Sequence, residues 1–179
     1  MISRNVIGIV VIPAILIIST LTGCATASNP DAMIVESVAI THVSNSGVSV
    51  VVSGGKETSA LWTSQISDEA FAQALRESII KSGLFKTITN NGGRYKLSAF
   101  IGEVDQPMVG FSMTVKMEVS YTLLDTQSGK TVWSKNIASE YTVKLSDAFV
   151  GATRLRLANE GAAKANIQQA LTELSTIQF

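Results

Sequence analysis

The sequence is poor in the residues on which many catalytic and metal sites depend. Among 179 residues it has one cysteine, Cys24, and one histidine, His42. A single cysteine excludes an internal disulfide and a cysteine cluster for a metal. No Gly-x-Ser-x-Gly motif is present, which excludes the usual hydrolase nucleophile elbow. His42 lies in a β-prone run, where an ordinary strand residue is the simpler interpretation than a ligand or a general base.

An excess of charge of either sign is also missing. The 14 Lys and Arg residues balance 14 Asp and Glu residues, and they form no run of like charge. Proteins that bind nucleic acids normally show a basic patch or stripe. We therefore expect no nucleic-acid partner.

Long apolar runs are absent except at the N-terminus. Residues Val6 to Leu21 form 16 uncharged positions that follow Arg4 and include Pro13. A membrane-spanning helix needs about 20 apolar residues, and an internal proline disrupts a helix. The run instead fits the hydrophobic region of a cleaved signal peptide. An uncleaved membrane anchor with an incidental cysteine stays open as the alternative.

The run ends in Leu21, Thr22, Gly23 and Cys24, which resemble the lipobox of bacterial lipoproteins. The resemblance implies cleavage before Cys24, a diacylglycerol on its thiol and a further acyl chain, such as palmitate, on its amino group. We expect no other cofactor and no metal. By resemblance to the lipoprotein sorting rule, Ala25 implies transfer to the outer membrane, on the side facing the periplasm.

These features divide the chain into three parts. Residues 1–23 are predicted to be the signal peptide, residues 24–32 a lipidated tether, and residues 33–179 a single periplasmic domain. Without Arg4, thirteen basic residues face fourteen acidic ones, so the exported part is nearly neutral.

Two regions of the exported part have clear helical periodicity. Ser67 is a good N-cap, Phe71, Leu75 and Ile79 form one apolar stripe, and Gly83 is a good C-terminal cap. A second helix is predicted within residues 147–176, with its best part from Gly161 to Leu174. Its predicted inward residues are Ala163, Ile167, Ala170, Leu171 and Leu174.

The remaining periodicity is that of strands. Residues 34–43 and 48–52 predict a hairpin or one bent edge strand, and Tyr95 begins a further strand. Phe111 to Leu123 alternates without a break, with Phe111 on the apolar side, and residues 131–143 return after the turn 125–130. This pattern predicts an α+β two-layer sandwich: an antiparallel sheet of about four strands with two helices packed on one face.

Two other motifs carry little chemistry. Glu103 and Asp105 lie two residues apart in a predicted solvated loop, Gly102–Gly110, where a catalytic pair is a weak interpretation. Gly54-Gly55-Lys56 lacks the Walker spacing and predicts a mobile turn. We expect no catalytic residue.

Trp62, Met108 and Val109 are candidate contact residues. Trp62 either closes the core as a lid or, if exposed, contacts a protein. Met108 and Val109 lie in a predicted loop, where core packing explains them less well than contact with a partner or a membrane.

Behind the lipobox, the order helix, three strands, helix resembles small proteobacterial envelope lipoproteins. These include auxiliary lipoproteins of ABC transporters and outer-membrane assembly lipoproteins. The hairpin 125–133 and the helix segment 160–166 carry the likeness. It implies a non-catalytic binding or assembly role with an envelope protein partner. A periplasmic lipid or glycan carrier is the alternative. An acyltransferase-type enzyme is less favoured because hexapeptide repeats are absent.

Overall fold

The computed structural model describes residues 25–58 and 63–179. These form three helices and five strands in the following order: α1 Pro30–Met33, β1 Ser44–Ser53, α2 Asp68–Ser82, β2 Phe85–Thr89, β3 Tyr95–Asp105, β4 Ser112–Asp125, β5 Lys130–Lys144 and α3 Gly151–Leu174.

The strands form one mixed sheet in the order β2-β1-β3-β4-β5. Strand β1 is parallel to both β2 and β3, whereas β3, β4 and β5 form an antiparallel meander. Helices α2 and α3 pack on the sheet and on each other, with a continuous core beneath them. The α+β class is therefore confirmed, but the prediction of four antiparallel strands and two helices is wrong in count and direction.

Helix α2 forms as its end signals predict. The Ser67 side chain accepts a hydrogen bond from the backbone N–H of Ala70, and Gly83 ends the helix with a φ of +67°. Phe71, Leu75 and Ile79 are fully buried. Amphipathic spacing and both caps thus act together to place this helix.

Residues 34–43 are not a strand, contrary to the prediction from their β-prone composition. Ile34 and Val35 are buried, and the backbone N–H of Val35 donates to Ser78 Oγ in α2 at 2.9 Å. Farther along, the N–H of His42 donates to the carbonyl of Ser175, just after α3. The apolar side chains of this segment therefore pack against the helices, and its backbone groups form hydrogen bonds with the helical layer instead of with the sheet.

The parallel part of the sheet differs most from expectation. Strand β1 was expected at an edge, but it lies between β2 and β3. The edge beside it is the five-residue strand β2, for which no strand was predicted. Residues 90–94 then carry the chain from β2 past β1 to β3. The helical connection β1-α2-β2 is what a parallel pair requires.

The alternation along β4 is confirmed from Met113 to Leu123, where every second side chain is buried. Phe111 was placed on this buried side, and that prediction is wrong: it precedes the strand and is 84% exposed. The register places Ile137 opposite Val119 and Val143 opposite Met113, so β5 also turns its apolar residues toward α3.

Helix α3 begins at Gly151, later than the predicted start, and its predicted inward stripe is buried throughout. A buried polar network holds it on the sheet. The Tyr121 hydroxyl donates to Asn166 Oδ1 at 2.9 Å, and Asn166 Nδ2 donates to the Ile137 carbonyl at 2.8 Å and to Ser139 Oγ at 3.1 Å. Burial raises the pKa of the Tyr121 hydroxyl, which keeps it a neutral donor.

The described helices are all too short or too polar to cross a membrane.

Gly161 lets α3 approach β5 closely, because a Cβ atom there would overlap the Tyr141 ring. A Gly161→Ala substitution should destabilise the protein, since overpacking costs about 1–3 kcal/mol and exceeds the helix-propensity gain of up to about 1 kcal/mol. In a Tyr141→Ala background the same substitution should be stabilising. Urea unfolding of the four proteins in this cycle measures the difference. Equal effects of Gly161→Ala in both backgrounds would contradict the close contact.

Candidate functional site

The structure tests the predicted site residues unevenly. Leu21, Thr22, Gly23 and Cys24 lie outside the described residues, and so does Trp62. Met108 and Val109 are described, and both are strongly exposed, at 83% and 85%. Their prediction as surface residues is confirmed, while what they contact stays a prediction.

Met108 and Val109 belong to a larger apolar surface. They lie in the loop 106–111, between β3 and β4, together with the exposed Phe111. The loop 145–150, between β5 and α3, adds Phe149 and Val150, which are 84% and 51% exposed. Ser112 pairs with Lys144 at this end of the β4–β5 ladder, so both loops leave the same end of the sheet. We call this surface the apolar cap: Met108, Val109, Phe111, Phe149 and Val150.

Arg154 ties the two loops of the apolar cap together. Its Nη1 donates to the carbonyls of Ala148 and Phe149, each at 2.8 Å, and its Nη2 donates to the Gly110 carbonyl at 3.0 Å. Only 6% of this residue is exposed, although it lies in the first turn of α3. A guanidinium group supplies several donors in a fixed plane. Arg154 is therefore a positioning residue that fixes both loops to one helix.

The apolar cap has almost no charge at its surface. Asp147 is the only charged residue in the loops 106–111 and 145–150. Its carboxylate accepts hydrogen bonds from the Lys144 backbone N–H at 2.9 Å and from the Ser146 hydroxyl at 3.2 Å. Exposed apolar side chains grouped at one end of a sheet are typical of contact with a protein or a membrane.

Phe111, Phe149 and Val150 were missed as contact residues. Phe111 continues the alternation of β4 and was therefore assigned to the core. Phe149 and Val150 fall within the predicted beginning of the second helix, just before Gly151. The available signal was the tripeptide Ala148-Phe149-Val150 between the charged Asp147 and Gly151, since large apolar residues at a helix entry need either a core or a partner.

Strand β5 provides a second candidate surface. It has 15 residues, pairs only with β4, and forms an edge of the sheet. Of its side chains only Ile137 and Val143 are buried. The other row of its backbone N–H and C=O groups has no strand beside it within the described chain, and edges of this type can accept an added strand.

The carboxylates considered for catalysis lie on a different surface. Glu103 and Asp105 belong to β3, so their assignment to a loop is wrong. With Lys116, Glu118 and Glu140 they line a groove of about 450 Å³ on the face of the sheet opposite the helices. Within residues 25–58 and 63–179, no three His, Cys, Asp or Glu side chains come together as metal ligands. His42 is exposed and does not line this groove.

A groove of about 480 Å³ also runs between α3 and β5. Tyr141, Gly161 and Gln168 line it, together with Glu160 and Lys164. The carrier alternative would place a ligand here, because the space between the helices and the sheet is filled by the core cluster.

Replacing Arg154 with Met should release the two loops of the apolar cap. The three carbonyls would lose their charged donor, and a hydrogen bond to a charged group contributes about 1.5–3 kcal/mol. We expect faster amide hydrogen exchange in residues 106–111 and 145–150 and a lower unfolding midpoint. Lys81→Met, which removes an exposed cation on α2, is the control. Unchanged exchange in both loops would show that Arg154 does not position them.

No family model matches this chain, and no curated protein matches it. Solved structures do share its fold. The protein XCC0632 from Xanthomonas campestris, described by the family model DUF330, is 14% identical with a TM-score of 0.58, over 84% of this chain and 93% of that chain. A Caulobacter crescentus protein designated a lipoprotein is 17% identical with a TM-score of 0.52, over 72% and 88%.

A PelC dodecamer from Paraburkholderia phytofirmans is also similar, at 18% identity and a TM-score of 0.50, over 78% of this chain and 92% of that chain. Identities this low show a common fold and nothing finer. The chain is thus similar in fold to small proteobacterial proteins that include lipoproteins, in agreement with the resemblance of its sequence to that group.

Proposed function

We propose that this chain is a lipid-anchored envelope lipoprotein that binds another envelope protein and catalyses no reaction. Acyl chains on Cys24 hold it in the membrane, on the periplasmic face of the outer membrane. The free edge of β5 is the surface that receives the partner. The lipobox at residues 21–24 and the fold shared with a lipoprotein support the anchor, and the geometry of β5 supports the binding role.

The observation that carries the binding role is the length of the free edge. Strand β5 has 15 residues, about 50 Å at the usual rise per residue, whereas strands commonly have about 5–6 residues. Natural proteins shorten or charge their edge strands because a free edge pairs with other chains. An edge left this long is therefore better explained by a partner than by chance.

The charge along the edge supports the same conclusion. Lys130 and Lys144 lie at its two ends, and Lys135 forms an ion pair with Glu173 at 3.1 Å. Between Asn136 and Val143 the only charged residue is Glu140. The partner we propose is an extended segment of another envelope protein, which adds a strand along this stretch through main-chain hydrogen bonds.

A carrier of a lipid or glycan is the second candidate. The groove of about 480 Å³ between α3 and β5 favours it, because its lining combines the apolar Tyr141 with Glu160 and Lys164. If lipid or glycan co-purified with the protein and no protein partner did, the result would favour the carrier function over the protein-binding function.

The anchor is tested by replacing Cys24 with Ala. In cells fed a palmitate analogue, the unaltered protein should carry the label and fractionate with membranes. The Cys24→Ala variant should carry none, and its signal peptide should remain. Because the change lies outside residues 25–179, the domain should fold in both. Equal label on the two proteins would exclude Cys24 as the acylated residue.

The partner surface is tested with photo-cross-linking residues placed singly at Asn136 and Ala138 in intact cells. Both positions are exposed on β5, and Lys96 is an exposed position on the inner strand β3 that serves as the control. We expect one discrete cross-linked partner from β5 and little from position 96. A second copy of this chain, the kind of assembly that the PelC structure contains, would be recognised by its mass. Equal products from all three positions would contradict strand addition.

A further inference from the structure

We propose that the apolar cap inserts into the surface of the bilayer that holds the Cys24 anchor, so that the domain docks on the membrane by its cap end. This inference rests on the proposed acylation of Cys24 and adds a second, non-covalent membrane contact. Three independent features support it: the position where the chain leaves the domain, the length of chain before that point, and the chemistry of the cap.

The chain enters the domain beside the apolar cap. Ser28 is buried, and its backbone N–H donates to the Gln65 carbonyl at 3.3 Å. The neighbouring Ser64 carbonyl accepts a hydrogen bond from Gln106 Nε2 at 3.1 Å. Gln106 begins the loop that contains Met108. Residues 64 and 65 therefore connect the entry of the exported chain at Ser28 to the cap loop that begins at Gln106.

A second contact sets the height of this entry point. The Asn29 N–H donates to Glu160 Oε1 at 2.8 Å. Glu160 is nine residues beyond Gly151, the first residue of α3, which corresponds to about 14 Å along a helix axis. The entry point thus lies about two and a half helical turns from the end of α3 that carries the cap.

The chain between anchor and domain has no length to spare. Four peptide steps separate Cys24 from Ser28, and four residues extend to at most about 14 Å. Because the acylated residue lies at the headgroup level, the entry point cannot rise far above the bilayer. The tether is just long enough for the end of α3 that carries the cap to reach the membrane.

The chemistry of the apolar cap suits lipid better than water. Two phenylalanines and a methionine project from loops whose single charged side chain is satisfied by its own turn. Aromatic and aliphatic side chains of this kind bury favourably at the boundary between headgroups and acyl chains. Arg154 satisfies three loop carbonyls from below, which lowers the cost of taking that backbone out of water.

The lone cysteine makes the test simple. Once Cys24 is acylated, a single new cysteine in the full lipidated protein can be spin-labelled selectively. We would label Val109→Cys and Phe149→Cys in the cap and Ser128→Cys as the control. Ser128 lies in the β4–β5 turn, at the opposite end of the 14-residue strand β4. Each protein would be placed in vesicles of phosphatidylethanolamine and phosphatidylglycerol.

Collision with oxygen reports acyl-chain depth, and collision with a water-soluble nickel chelate reports aqueous exposure. We expect the ratio of the oxygen collision rate to the nickel collision rate to be several-fold higher for the labels at 109 and 149 than for the label at 128. Phe111→Ser combined with Val109→Cys should reduce that ratio. Equal aqueous exposure at all three positions would overturn the proposal and leave the anchor intact.

Two other outcomes would also overturn it. A label at 109 or at 149 that is shielded from both reagents, and that is broadened by the same label on another molecule, would mean that a second copy covers the cap. A Cys24 thiol that takes the spin label would mean that the anchor itself is absent, and the proposed function would fall with the cap.

Discussion

The buried amide of Asn166 is the contact on which the position of helix α3 depends. It joins the helix to both strands of the β4–β5 hairpin, through Tyr121 on one and the Ile137 carbonyl on the other. A buried amide left without partners costs about 1–3 kcal/mol, so the helix cannot slide by a turn without penalty. Apolar packing of small residues such as Ala163 would tolerate several registers; the amide selects one.

The selected register also determines the surface at the end of the sheet. Arg154 lies twelve residues before Asn166 on the same helix, about 18 Å along its axis. That distance brings its guanidinium group between the Gly110 and Ala148 carbonyls. The apolar cap is therefore a consequence of a buried contact in the middle of the fold. Strand β5 ends at Lys144, directly beside the same loops, so the free edge begins where the cap does.

Local signals in the sequence were sufficient for the elements that depend on local physics. Helix α2 has its two caps and an apolar stripe, and β4 has its alternation, so both could be predicted. Residues 34–43 have strand-like composition, but they pack on the helices. That position is set by tertiary contacts, which local composition does not predict. Strand β2 has five residues and no clear alternation. Of the candidate site, Met108 and Val109 were recognisable as surface residues. Phe111 was not, because it continues the alternation of β4 on the buried side.

The place of β1 in the sheet has a consequence for how the chain is made. Val48 pairs with Tyr95, and synthesis at roughly 5–20 residues per second separates the two by several seconds. Strands β3 to β5 and α3 follow one another and can assemble as they emerge. The strand at the centre of the parallel region is thus the first to be translated, and it stays unpaired until both of its neighbours, β2 and β3, have followed. Its run of valines is exposed over that interval, and an unpaired apolar strand of this kind is prone to aggregate.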